Sequence, residues 1–319
     1  MNPGAVLKFG GSSLANSQKL AFIARKIKKI SKKYKKIIIV LSAPANITDN
    51  LLELSSKFKQ IPSATDMLMS AGETISISMM EMALNSINVK SKALNPYQAG
   101  IITDSKHLDA NILYIKKEGI TRLLDKNIIP VIAGFIGISE KFELTTLGRG
   151  GSDYTAVYLS DVFKSDCFLY SDIKGVYSAN PSKIENAIKL DEISYVELFE
   201  ITKVDSCVRQ NKAMRYAEKK NISLHLGSIF SNESPTLIRK KTREDIRIKY
   251  LSINYEDEKT TINFIGENIS KNKNIIDKIK SSFNKIEIES NHRIKSELNR
   301  YIEKEELIKI YNYFINPKN

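Results

Sequence analysis

Histidine and cysteine are scarce in this 319-residue chain, and their scarcity closes off several kinds of chemistry. The three histidines, His107, His225 and His292, are scattered, so each reads as a surface or packing residue, and no Ser-His-Asp or Cys-His arrangement suggests itself. The two cysteines, Cys167 and Cys207, stand far apart with no histidine cluster beside them. They indicate neither a disulfide framework nor a zinc site, and no protein-held metal is expected. Long apolar runs are missing as well. No stretch reaches the roughly 18 residues that a membrane helix needs, and Met1-Asn-Pro-Gly-Ala5 lacks the basic-then-apolar layout of a signal peptide. The expectation is a cytoplasmic protein without a membrane partner. With 42% hydrophobic residues, the chain has apolar side chains enough for one large domain and a small one.

Acidic residues are absent from the stretch Lys19 to Lys36, which holds Arg25 and Lys26, Lys28, Lys29, Lys32, Lys33 and Lys35. With a net charge of +13, this invites a nucleic-acid reading. Leu20, Ile23, Ala24, Ile27 and Ile30 nevertheless recur there at helical spacing, so the basic groups coat the outer face of an amphipathic helix. The adopted reading is a solvated helix face, with no nucleic-acid partner.

What the chain does have is a glycine-rich centre, Leu144-Thr-Thr-Leu-Gly-Arg-Gly-Gly-Ser-Asp-Tyr-Thr-Ala156. After Gly150 and Gly151, Ser152 or Asp153 is placed to cap a helix whose apolar positions Ala156, Val157, Leu159 and Val162 follow. The unpaired first amides and the macrodipole of such a helix favour an anion. Arg149 adds a planar fork for a carboxylate, and Asp153 a partner for an ammonium. Taken alone, the same residues also suit a glycine turn before an ordinary helix.

Ala5 to Phe9 reads as a buried strand, Gly10-Gly-Ser-Ser13 as a glycine turn, and Asn16 to Tyr34 as the basic helix, which together form a phosphate-cradling unit. Lys8 is placed to reach phosphate oxygens or simply to snorkel from a strand end. Ile37 to Leu41, apolar on both faces, is expected to be a central parallel strand. The methionines around Ser70-Ala-Gly-Glu73 read as core filler of a helix, and Glu73 as a carboxylate near that helix's N-terminus. Ile128 to Gly137 reads as one further central strand, Phe142 to Thr146 as a hairpin arm, and Asp166 to Tyr170 as a strand ending on the ligand edge. Tyr177 suits either stacking on a base or plain packing, and Asn180-Pro181 suits a turn. Repeated strand and helix alternation makes the first part an α/β layer fold. From about Arg243 the pattern changes to a small α+β module, with strands near 248–253, 261–265, 285–289 and 294–298 and helices near 275–283 and 304–314.

Lys8-Phe-Gly-Gly-Ser-Ser13, the loop ending in Asn46-Ile-Thr48, Ser70-Ala-Gly-Glu73, Thr145 to Thr155 and Ser171-Asp-Ile-Lys-Gly-Val-Tyr-Ser-Ala-Asn-Pro181 resemble, in order, the motifs of aspartate kinases. The resemblance implies the amino-acid kinase fold, a three-layer sandwich around a mainly parallel sheet, over residues 1–242. The module at 243–319 resembles one ACT domain, where family members usually carry two. The implied reaction transfers the γ-phosphoryl of ATP, with its Mg2+, to the side-chain carboxylate of L-aspartate, giving 4-phospho-L-aspartate and ADP on the way to lysine, threonine and methionine. By resemblance, Arg149 holds the α-carboxylate, Glu73 and Asp153 the ammonium, and Thr48 and Ser152 orient the substrate with Gly150 and Gly151. Lys8, Phe9, Gly10, Gly11 and Ser12 face the phosphates, and Ser171, Asp172, Tyr177, Asn180, Ser182 and Lys183 line the nucleotide side. Lys8, Arg149 and Asp153 are the implied catalytic groups, and a homodimer through the ACT-like domain is implied too. The sequence departs from the family pattern in one place. The lysine of the family's Gly-Ala-Lys-Val-Leu-His-Pro falls on Cys207, leaving Lys203, Arg209 or Lys212 to replace it. Two other readings stand beside this one, a kinase for another carboxylate such as glutamate, and a catalytically weak regulatory subunit.

Overall fold

The computed structural model describes residues 4–205, 212–242, 246–256 and 259–315. In chain order the elements are β1 (Ala5–Phe9), α1 (Ser17–Ile30), β2 (Ile37–Leu41), α2 (Ile47–Ser55), α3 (Pro62–Asn85), β3 (Ser91–Leu94), α4 (Pro96–Ala99), β4 (Ile101–Thr103), β5 (Ile112–Ile115), α5 (Glu118–Asp125), β6 (Ile129–Ala133), β7 (Ile136–Ser139), β8 (Leu144–Thr146), α6 (Gly151–Phe163) and β9 (Asp166–Tyr170). There follow β10 (Glu192–Ser194), α7 (Tyr195–Val204), α8 (Lys212–Lys220), β11 (Leu224–Gly227), β12 (Thr236–Arg239), β13 (Tyr250–Glu256), β14 (Lys259–Ile265), α9 (Lys273–Ser282), β15 (Ile286–Ser290), β16 (Arg293–Leu298) and α10 (Lys304–Phe314). The chain forms two compact units, one of residues 1–174 and 211–235, the other of 175–210 and 236–319.

The first unit is organised on a parallel sheet with strand order β11, β9, β1, β2, β6, β3. β1 and β2 are buried along their whole length because helices cover both faces. Ala5, Leu7 and Phe9 share one hydrophobic cluster with Leu20, Ile23 and Ile27 of α1 and Ile77 and Met80 of α3. The alternate residues Val6, Ile38 and Val40 are equally buried and point the other way, and α6 packs on β1 and β2. α1 follows its sequence pattern closely. Asn16 caps it by accepting from the Lys19 N–H, and Lys28 and Lys29 are exposed, while the Lys19 ammonium turns back to donate to Ser12 O at 2.8 Å. A smaller sheet, ordered β5, β4, β7, β8, carries the β7–β8 hairpin that leads into the glycine-rich turn.

Three local expectations are corrected. Ile128 to Gly137 is two strands, not one, because Phe135 takes a left-handed φ of 68° and sends β6 and β7 into different sheets. α3 begins at Pro62, so Glu73 lies in mid-helix rather than near an N-terminus. Of the methionines expected as its core filler, Met80 is buried, whereas Met67, Met79 and Met82 are exposed.

In the second unit β10 and β12 run parallel, and β13, β14, β16 and β15 form an antiparallel sheet in that order. Its core joins Ala179 and Ile184 to Leu251, Ile253, Phe264, Ile294, Leu307 and Tyr311. The Tyr311 hydroxyl bonds Ser178 Oγ at 2.6 Å and accepts from the Ile188 N–H at 2.9 Å. Residues 175–205 belong to this unit too.

Candidate active site

Five segments of the first unit meet at the C-terminal ends of β1 and β2, the edge where open α/β sheets bind ligands. They enclose a cavity of about 230 Å3 lined by Lys8, Ser42, Ala43, Thr48, Glu73, Phe135 and Gly148 to Asp153. Every substrate-side residue expected from the sequence, namely Thr48, Glu73, Arg149, Gly150, Gly151, Ser152 and Asp153, is in that wall together with Lys8.

The glycine-rich turn is built by backbone conformation. Gly148 and Gly150 take φ of 74° and 77°, which L side chains adopt only with strain. Gly150, rather than Ser152 or Asp153, is the N-cap of α6, and no side chain caps it. The positive end of the helix is therefore kept available to an anion. Lys8, nearly enclosed at the strand end, forms an ion pair with Asp153 Oδ1 at 2.7 Å. Across the cavity Glu73 is only 3% exposed, and its Oε2 has no hydrogen-bond partner. Burial pushes its carboxyl well above the ordinary range, opposed by an amide hydrogen bond from Ala43 and the charge of Lys8. Arg149 is exposed and has no ion-pair partner among the described residues. The cavity lining thus offers cations, helix-end amides and a buried acceptor that gains from a cationic partner.

The nucleotide-side residues divide. Ser12 and Asp172 line a second cavity of about 280 Å3 in the same unit, with Ser13, Lys19, Lys174, Ser228, Phe230 and Ser231. Phe9, expected on the nucleotide side, is fully buried and stacked on Tyr170, and its carbonyl accepts from the Ser42 N–H at 3.2 Å. The Gly10 N–H donates to Tyr170 O at 3.1 Å, so this amide, expected to face phosphate, is engaged within the sheet. Gly11 is required sterically, since a Cβ there would meet Ala43 O at 2.6 Å. Ser171 donates its N–H to Gly227 O, and its hydroxyl accepts from the Ile173 N–H.

Tyr177, Asn180, Ser182 and Lys183 belong to the second unit. There Tyr177 bridges to Lys189, Asn180 donates to Asp205 Oδ1 at 3.3 Å, and Ser182 Oγ donates to Asn180 Oδ1 at 2.8 Å. The Lys183 ammonium donates to Ile253 O and Asn254 Oδ1. Cys207 and Arg209 lie outside the described residues. Of the other candidate replacements for the family lysine, Lys203 pairs with Glu200 at 2.8 Å, and Lys212 pairs with Asp109. Sequence reasoning missed Phe135, whose left-handed backbone brings its ring to the substrate cavity; the signal was the preceding Gly134, where a Cβ would meet Ser152 Cβ at 2.8 Å.

The family model for the amino acid kinase family matches residues 4–228. The chain belongs to the amino acid kinase family. This amino acid kinase is 34% identical over 264 residues to an aspartokinase of Geobacillus stearothermophilus, a match covering 82% of the chain and 65% of the relative. It is 37% identical over 248 residues to an aspartokinase of Corynebacterium glutamicum, covering 76% and 59%. The chain therefore spans less than two thirds of the length of these curated relatives. Among solved structures, E. coli aspartokinase III in complex with lysine and aspartate superposes with a TM-score of 0.81 at 17% identity, covering 98% of this amino acid kinase and 99% of that chain. That likeness establishes the fold. Aspartate kinase from Synechocystis gives a TM-score of 0.65 at 25% identity over 92% of this chain and 52% of its own.

Proposed function

We propose that this amino acid kinase is an aspartate kinase, transferring the γ-phosphoryl of ATP to the side-chain carboxylate of L-aspartate. The observation that carries the reading is the single cavity lined by Lys8, Glu73, Arg149 and Asp153. An aspartokinase identity for relatives at 34% and 37% supports it, as does the solved E. coli aspartokinase III in complex with aspartate and ADP.

The acceptor needs no general base. A side-chain carboxyl of pKa about 3.9 is ionised near neutral pH, so the obstacle is repulsion between two anions. In the proposed mechanism Arg149 and the α6 N-terminus hold the α-carboxylate, and Glu73 receives the ammonium. Thr48 and Ser152 orient the substrate. Lys8 exchanges its partner Asp153 for phosphate oxygens as the two anions approach, leaving Asp153 to the ammonium. In this reading Mg2+ arrives as part of the nucleotide substrate.

The proposed division takes residues 1–242 as catalytic and 243–319 as an ACT-like module. Two copies would pair through sheet edges, where β15 offers the exposed Ile288. Among the described residues no helix is long and apolar enough to cross a membrane; a cytoplasmic location is part of the proposal. A coupled ADP-release assay tests the function. Turnover must depend on aspartate and fall in Arg149→Ala and Lys8→Ala, and an enzyme that releases no ADP with aspartate would refute it.

A further inference from the structure

Asp66 lies outside the cavity wall and is fully buried. A buried carboxylate is costly unless its oxygens are satisfied, and no lysine or arginine pairs with this one among the described residues. Its oxygens are held by donors from two other segments. Thr146 Oγ1 donates to Oδ1 at 2.6 Å, and His107 Nδ1 meets Oδ2 at 2.7 Å. The Leu108 N–H donates to both at 3.2 Å. A carboxylate only accepts, so the His107 proton sits on Nδ1.

These bonds end next to the substrate turn. Thr146 closes β8, and Leu147, Gly148 and Arg149 follow directly. The 107–110 loop, pinned by Asp66, clasps the same segment. Ala110 N–H donates to Thr146 O at 2.8 Å, and a Cβ on Gly148 would meet Asp109 Oδ1 at 2.6 Å. The Lys212 ammonium ties Asp109 O, Ala110 O and Leu147 O together. Arg149 itself makes no ion pair among the described residues, so the clasp acts on it through the backbone that carries it.

Asp66 and Glu73 sit seven residues apart on α3, two turns along one helical face. One rigid helix therefore carries both the carboxylate facing the cavity and the carboxylate anchoring the turn that bears Arg149. We propose that Asp66, with Thr146 and His107 as its donors, is a positioning residue that fixes the spacing between Glu73 and Arg149, and so selects a zwitterion with ammonium and carboxylate on one carbon. This rests on the aspartate kinase reading and deepens it.

The full chain with Thr146→Val keeps the shape and removes the hydroxyl, while Thr146→Ser restores it. His107→Leu and His107→Asn form a second such pair. The valine and leucine variants should raise the KM for aspartate about tenfold, from the loss of one donor to a buried carboxylate. The KM for ATP should stay unchanged, and the serine and asparagine variants should recover most of the loss. Without any substrate, amide hydrogen exchange over residues 147–151 should quicken in the valine and leucine variants alone. Unchanged exchange there, or equal rises in both KM values, would overturn the proposal. If the wild type fails to use aspartate while exchange still responds as stated, the substrate assignment fails and the anchoring role stands.

Discussion

Replacing Glu73 by glutamine should move stability and substrate affinity in opposite directions, which separates a ligand-binding carboxylate from a merely structural one. Glu73 is buried, one of its oxygens lacks a partner, and burial raises its pKa despite Ala43 and Lys8. Between its unfolded and folded pKa values the native state binds more protons than the unfolded chain, so wild-type stability falls as pH rises through that window. Glutamine has nearly the same shape and cannot ionise. Glu73→Gln should therefore melt at or above the wild-type temperature near neutral pH, with its advantage growing as pH rises above about 4.5. Binding should suffer. A charge-assisted hydrogen bond to an ammonium is worth about 1.5–3 kcal/mol, which corresponds to roughly a tenfold to hundredfold rise in the KM for aspartate. Differential scanning fluorimetry from pH 5 to 9, with initial rates against aspartate at saturating ATP, reads both. A variant that melts lower than wild type at pH 8, or that keeps its KM, would refute the reasoning.

Lys8→Ala removes the enclosed cation paired with Asp153; kcat should fall by about a hundredfold or more, in line with loss of one preorganised donor, as single-turnover measurements would register. Gly150→Ala forces a side chain onto a φ of 77° at the start of α6 and should cost about 1 kcal/mol or more in urea unfolding, with reduced activity. Leu7→Ala empties a fully buried position of β1 and should destabilise by about 2–5 kcal/mol in the same experiment.

Much of the fold was legible because burial is written into β1 and β2 as unbroken apolar runs and into α1 as a clear stripe. α3 was harder to delimit. Its exposed methionines blur the stripe, and Pro62 starts the helix well before the Ser70 motif. The break between β6 and β7 depends on one left-handed phenylalanine, which no hydrophobic pattern records. The substrate wall was readable because Lys8, Glu73 and the 148–153 turn are local motifs that the parallel sheet gathers at one edge. Asp66 was not, since its donors lie 41, 42 and 80 residues away and His107 carried no local sign of its partner. The engaged amide of Gly10 escaped notice for a similar reason, because a strand neighbour across the sheet decides it.

The central claim is that Lys8, Glu73 and Arg149 act in one cavity on aspartate and ATP together. Trapping the product with hydroxylamine tests it most directly, since an aspartyl phosphate is captured as a coloured hydroxamate. Hydroxamate formation should need both aspartate and MgATP, be lost in Lys8→Ala and be strongly reduced in Arg149→Ala. Wild-type protein that forms none, or an Arg149→Ala variant that forms it as readily as wild type at low aspartate, would contradict the account.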